Sequence, residues 1–146
     1  FWASVRHAEP VTIGLNCSFG AAQLRAHIAA LSPLADTLVM AYPNAGLPND
    51  LGDYDEGAAE TAAQFREWAD QGIVNIVGGC CGTTPDHIKA IADTVRGFAP
   101  RAIATLDRRT RLAGIELRVD HISAALRAAA RPGRAGAFEG IDGERG

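Results

Sequence analysis

Residues 73–85 read IVNIVGGCCGTTP, and this stretch decides the fold class. Its first five residues are mostly apolar and β-branched, which predicts a buried strand over 73–77. Glycines flank the adjacent Cys80 and Cys81, and Thr84 followed by Pro85 is typical of the first turn of a helix. A strand, a glycine-rich turn and a helix in this order indicate one βα unit of a parallel sheet.

Two similar units precede this stretch. Short apolar runs at 11–16 and 37–42 predict two further strands, and helices are predicted over 21–31 and 56–71. A last helix begins at Pro85, and its predicted buried face carries Ile88, Ile91, Ala92, Val95 and Phe98. Strands that are apolar throughout and alternate with helices predict an α/β fold with a parallel sheet.

The predicted units occupy only part of the chain. About three βα units fill residues 1–101, whereas a closed (β/α)8 barrel takes about 250 residues, so the chain holds less than half of one. Residues 102–130 are interpreted as a linker with a possible helix over 115–130, its inward positions being Val119, Ile122 and Leu126. The glycine- and arginine-rich segment 131–146 has few large apolar residues and is predicted to be a disordered tail. Because the first residue is Phe1 rather than Met, we expect a piece of a longer protein.

Composition limits the possible partners and compartment. The 146 residues carry a net charge of −3, so no broad basic surface predicts nucleic-acid binding. No apolar run reaches the length of a membrane span, and no signal-peptide pattern opens the chain. An odd number of cysteines, three, speaks against a disulfide framework and favours a reducing, cytoplasmic location.

The cysteines follow two of the predicted strands. Cys17 comes directly after the strand at 11–16, and Cys80 and Cys81 follow the strand at 73–77. Carboxyl ends of parallel strands meet at one edge of the sheet, where such folds assemble their sites. Three thiolates meeting there predict a zinc site with an open fourth position, which is a catalytic arrangement. Such an electron-rich centre suits a substrate thiol, and the expected reaction is alkyl transfer onto sulfur.

Other interpretations of these residues remain open at this point. Cys17 by itself is typical of a small buried hydrophobic residue. The glycine-rich stretch 78–82 is a weak match to a phosphate-binding loop because it lacks the Gly-Lys-Ser/Thr ending. A thiol-redox role lacks the Cys-x-x-Cys spacing. The histidines are expected to be surface or interface residues rather than ligands: His7, His27, His87 and His121.

Several motifs resemble a known family. Residues 14–17, 43–49 and 78–85 are similar to the zinc- and homocysteine-binding module of cobalamin-dependent methionine synthases, within the homocysteine S-methyltransferases. The opening residues 1–8 also resemble that module, and 110–116 resembles the linker that follows it. The double-cysteine motif is shared with the wider family, whereas the loop at 43–49 narrows the resemblance to the cobalamin-dependent branch.

The resemblance implies a fold, a cofactor and a reaction. The fold would be the C-terminal part of a (β/α)8 TIM barrel, with Cys17, Cys80 and Cys81 as zinc ligands. Homocysteine sulfur would take the fourth zinc position and receive a methyl group from methylcobalamin, giving methionine. Asn44 would line the pocket. The implied partners are homocysteine and the cobalamin- and folate-binding modules of a longer parent chain, cobalamin being bound by another module.

Two departures from the family leave alternatives. The strands that would complete the barrel are absent, and after Glu116 the sequence no longer resembles the family. One alternative is a homocysteine methyltransferase that uses betaine or S-methylmethionine as the donor. Another is an inactive truncated remnant, or an interaction protein whose exposed sheet edges pair with another chain.

Overall fold

The computed structural model describes residues 1–107, 110–112 and 118–120. It divides into a first unit, Phe1–Leu106, and a second unit that begins at Asp107. The first unit contains a three-stranded sheet and the second contains a two-stranded sheet. The two units are described separately below.

The first unit alternates strands and helices, after a short N-terminal helix. The helices are α1 (Trp2–Val5), α2 (Ala21–Leu31), α3 (Ala58–Asp70) and α4 (Pro85–Val95). The strands are β1 (Thr12–Gly20), β2 (Leu38–Asn44) and β3 (Ile76–Val77). Turns of 3-10 helix at Arg6–Ala8 and Ser32–Leu34 precede β1 and β2.

The sheet is parallel throughout, in the order β1-β2-β3. Ile13 lies opposite Val39, and Met40 lies opposite Ile76, so the three strands end at the same edge. The predicted α/β fold of about three βα units is therefore confirmed. Cys17, Asn44 and the loop after β3 all lie at this carboxyl edge.

Apolar faces of the helices cover the sheet and form the core. Leu24, Ile28 and Leu31, which are spaced by four and three residues along α2, are all buried. Phe65 and Trp68 of α3 are fully buried and pack edge to face, with ring centroids 4.8 Å apart. The burial of these aromatic residues fixes α3 on the sheet.

Strand β3 is shorter than the predicted 73–77 because the side chain of Asn75 takes the place of a backbone group in the hydrogen bonding with β2. Its side-chain Oδ1 accepts a hydrogen bond from the Val39 N–H at 2.9 Å, while its own N–H bonds to the Val39 carbonyl at 2.8 Å. An asparagine side chain thus occupies the place of a strand carbonyl. The regular pairing resumes only at Ile76.

The predicted buried face of α4 is wrong in part. Ile91 is buried, but Ile88 is 45% exposed and Ala92 is also exposed. These residues line an open groove with Val77 and Gly78. The reason is the position of β3 at the edge of the described sheet, where no further strand of residues 1–107 covers this side.

The second unit is a small antiparallel pair within its described residues. Strand β4 (Thr110–Leu112) pairs with β5 (Arg118–Asp120), and Arg111 lies opposite Val119. The helix predicted over 115–130 is therefore not present at Arg118–Asp120. Apolar and polar residues alternate from Ile115 to Asp120, a period of two that favours a strand. The other residues of that predicted helix, and the predicted tail 131–146, lie outside the described part of the chain.

Among the described residues, no helix combines the length and the apolar character that a bilayer-spanning helix requires.

Candidate metal centre

Cys17 lies where β1 departs from regular strand geometry. Cys17 and Ser18 have φ values of 60° and 64°, both in the left-handed region that non-glycine residues rarely adopt. The register with β2 is interrupted between Asn16 and Gly20 at the same point. Such strained residues persist only where the surrounding structure holds them, and they concentrate at functional sites.

The loop that follows β3 carries the other two cysteines and is held by the end of β2. The Cys80 N–H donates to the Pro43 carbonyl at 2.8 Å, and the Cys81 N–H donates to Asn44 Oδ1 at 3.2 Å. The Cys81 carbonyl accepts from the Ala45 N–H at 2.9 Å. Three hydrogen bonds therefore fix the backbone on both sides of the two thiols.

Glycine is required at the turn after Cys81. Gly82 has a φ of +75°, and a Cβ placed there would lie 2.3 Å from Cβ of Tyr54. Tyr54 therefore packs directly on the backbone of this turn. It belongs to the loop between β2 and α3, where it forms an isolated β-bridge with Pro48.

The three thiols meet at this edge of the sheet. Cys17 Sγ lies 3.6 Å from Cys81 Sγ, and Cys80 Sγ lies 3.9 Å from Cys81 Sγ. All three sulfurs are within 4.8 Å of one another, and all three cysteines are free thiols. Tetrahedral zinc with sulfurs at about 2.3 Å separates them by about 3.8 Å. The spacing of the sulfurs therefore fits one zinc ion.

The pKa values of Cys17 and Cys81 are shifted in opposite directions. The Ser18 backbone N–H lowers the pKa of Cys17, and hydrogen bonds from the thiols of Cys81 and Cys80 lower it further. The pKa of Cys81 is raised, chiefly because its thiol donates to Cys17 and also bonds to Cys80. The surroundings thus favour the thiolate form at Cys17 and the protonated form at Cys81. A divalent cation held between the sulfurs would offset the raised pKa of Cys81.

Two polar side chains flank the sulfurs. Asn44 is buried and, besides holding the Cys81 N–H, contributes to the lowered pKa of Cys17. Desolvation raises the pKa of Tyr54, and its hydrogen bond with Cys81 and the negative sulfurs raise it further. The structure thus places Asn44 against the cysteines, while its predicted contact with a substrate stays a prediction.

Sequence reasoning missed two residues that support the site. His87 was expected at a surface or interface, yet it is buried with 7% exposure. A signal was present, because Thr84 and His87 have the three-residue spacing of a capping box. Tyr54 gave no such signal, since its contact with Gly82 joins residues far apart in the sequence.

A comparison with protein-family models adds an independent finding. The model described as homocysteine S-methyltransferase matches residues 1–95 of the 146. The match includes all three cysteines, Asn44, Tyr54 and His87. It ends at the last residue of α4.

Proposed function

Because the chain belongs to the homocysteine S-methyltransferase family, we propose that Cys17, Cys80 and Cys81 hold one zinc ion that receives the sulfur of homocysteine. The family is one of methyltransferases, which supports transfer of a methyl group as the reaction. The observation that carries the zinc assignment is the convergence of three free thiols. Cys81 Sγ lies 3.6 Å from Cys17 Sγ and 3.9 Å from Cys80 Sγ. A donor set of three sulfurs and no carboxylate favours zinc over magnesium or calcium.

Zinc bound in this way would leave a fourth position and would keep a substrate thiol ionised at neutral pH. Residues of the chain favour the ionised form of one ligand and hold the backbone of the other two. The Ser18 N–H favours the thiolate form of Cys17, and Asn44 and Pro43 hold the backbone of the double-cysteine loop. The protons released by the thiols pass to solvent, because Cys17 and Cys80 are only partly buried and Cys81 is exposed.

The proposed reaction is a methyl transfer to sulfur. A lone pair of the homocysteine sulfur forms the new carbon–sulfur bond, and the bond between methyl and donor breaks with its electron pair remaining on the donor. We propose methylcobalamin as that donor, carried by another module of a longer parent chain that also binds folate. The resemblance of the loop at 43–49 to the cobalamin-dependent branch supports this choice over betaine or S-methylmethionine. Free thiols at a metal centre also support a reducing, cytoplasmic setting.

Metal analysis tests the zinc site. The purified chain, loaded with zinc and dialysed, is expected to retain about one zinc per chain. Cys80→Ser should lose most of the metal, while the exposed Ser4→Ala serves as a control that retains it. A wild-type chain without bound zinc, and with all three thiols freely titratable, would contradict the proposal.

Calorimetry tests the substrate separately. Homocysteine titrated into the zinc-loaded chain should bind and release a proton, because its thiol ionises on reaching the fourth position. Methionine is the matched control, since its sulfur already carries the methyl group and cannot become a thiolate. If the chain retains zinc but releases no heat when homocysteine is added, the substrate assignment is wrong and the metal-site assignment still holds. This outcome is the one expected of an inactive remnant.

A further inference from the structure

His87 is a buried ionisable side chain that the proposed reaction does not use. It occupies the third position of α4, three residues after the N-cap Thr84. Its Nδ1 lies 3.3 Å from the Thr84 backbone nitrogen and 2.8 Å from Thr84 Oγ1. Its Nε2 lies 2.8 Å from the backbone carbonyl oxygen of Glu56.

These partners determine the tautomer of the ring. The Thr84 backbone N–H can only donate, so Nδ1 must be the accepting, unprotonated nitrogen. The Glu56 carbonyl can only accept, so Nε2 must carry the hydrogen. His87 is therefore the neutral Nε2–H tautomer, and both ring nitrogens have partners in a site with little access to water.

The two bonds of His87 close a ring of contacts around the double cysteine. The Glu56 N–H donates to the Ala45 carbonyl at 3.3 Å, and the Ala45 N–H donates to the Cys81 carbonyl at 2.9 Å. Cys81 precedes Thr84 by three residues, and Thr84 bonds back to His87. The loop that carries Tyr54 is thereby attached at Glu56 to the helix that follows the cysteines.

The structure assigns His87 as a positioning residue, whose Nε2–H bond to Glu56 holds the loop of Tyr54 against the Cys80–Cys81 turn. A helix cap alone would not need this donor, because glutamate or glutamine at the same position also accepts from an N-cap N–H. Only a side chain with both an acceptor and a neutral donor satisfies Thr84 and Glu56 together. The consequence for zinc rests on the proposed function, whereas the position of the loop does not.

Two variants that are isosteric with each other separate capping of the helix at Thr84 from the bond to Glu56. His87→Gln keeps an acceptor for Thr84 and an N–H donor for Glu56, whereas His87→Glu keeps the acceptor and has no donor. In the zinc-free protein, we expect exchange of the Ala45 and Glu56 amide hydrogens about 10-fold faster in His87→Glu and within about 3-fold of wild type in His87→Gln. His7→Glu, on an exposed histidine, controls for the charge change.

Zinc transfer to a chelator supplies the second readout. Loss of a contact that supports a metal site from outside the coordination shell costs about 10- to 100-fold in metal affinity. We therefore expect His87→Glu to release zinc at least about 10-fold faster than wild type, and His87→Gln to release it near the wild-type rate.

Equally fast zinc release from both variants, or no difference between His87→Glu and His7→Glu in amide exchange, would overturn the assignment. A long-range 1H–15N spectrum of the wild-type histidine rings showing a hydrogen on Nδ1 of His87 would overturn it without any variant. Failure of the wild-type chain to bind zinc would instead contradict the proposed function and leave the amide-exchange test intact.

Discussion

At the scale of single residues, the thiol cluster depends on backbone conformations that few residues adopt. Cys17 and Ser18 are left-handed without being glycine, and Gly82 is left-handed beneath Tyr54. These three left-handed residues are a cysteine or directly follow one in the sequence. The sequence predicted which cysteines would meet because strand ends share an edge, but strain at Cys17 depends on tertiary contacts and leaves no local pattern.

Gly82→Ala is expected to destabilise the protein more than Gly52→Ala. Both glycines have positive φ, so each substitution incurs about 1–2 kcal/mol of left-handed strain. At Gly52 the new Cβ meets nothing within 4 Å, whereas at Gly82 it meets Tyr54. Overpacking of this kind costs a further 1–3 kcal/mol or so. Urea unfolding of both variants measures the difference, and zinc content should fall only in Gly82→Ala. Equal free energies of unfolding would show that Tyr54 moves away at no cost.

At the scale of elements, buried polar side chains connect segments that the apolar pattern alone leaves unpaired. Asn75 bonds to Val39 and also donates to the Arg101 carbonyl at 2.8 Å. Arg101 is buried, no acidic side chain among the described residues pairs with it, and burial lowers its pKa. Its guanidinium donates to Thr37 O at 3.0 Å, Ala35 O at 2.5 Å and Ser32 Oγ at 2.8 Å, and also to Ser32 O. These bonds connect the amino ends of β2 and β3, far along the strands from the thiols.

Arg101→Lys is expected to lower the free energy of unfolding by about 2–4 kcal/mol, because lysine has too few donors for these acceptors and leaves buried carbonyls unpaired. Zinc stoichiometry of the folded protein should not change, since Arg101 lies at the opposite edge of the sheet from the cysteines. Arg96→Lys, on an exposed arginine of the segment after α4, is the matched control and should have little effect. Chemical denaturation and metal analysis check both points. Loss of zinc from fully folded Arg101→Lys protein would contradict the claim that Arg101 stabilises the fold without supporting the cysteines.

At the scale of the whole molecule, periodicity predicted the helices of the first unit better than its strands, whereas in the second unit it predicted a helix where Arg118–Asp120 form a strand. Helix α2 has the predicted bounds, and α3 is shorter than 56–71 by a few residues. Strand β1 continues past the predicted 16 to Gly20, and β3 is reduced by the side chain of Asn75. Helical faces follow from local spacing, whereas strand lengths depend on partners elsewhere in the chain. The exposed Ile88 shows the same limit, because no further strand of residues 1–107 lies beyond β3 to cover it.

The candidate site was predictable in its ligands and not in its support. Cys17, Cys80 and Cys81 follow strand ends, and that position alone places them together. The contacts by which Asn44, Tyr54 and His87 reach other segments join residues far apart in the sequence, so no local spacing indicates these contacts. A sequence therefore specifies a cluster of thiols more clearly than the polar contacts that hold it.

X-ray absorption at the zinc edge tests the central claim most directly. The zinc-loaded chain should show three sulfur ligands at about 2.3 Å and one lighter ligand, and addition of homocysteine should raise the count to four sulfurs. A spectrum with fewer than three sulfurs, or one that homocysteine leaves unchanged, would contradict the proposal that these thiols hold zinc for a methyl acceptor.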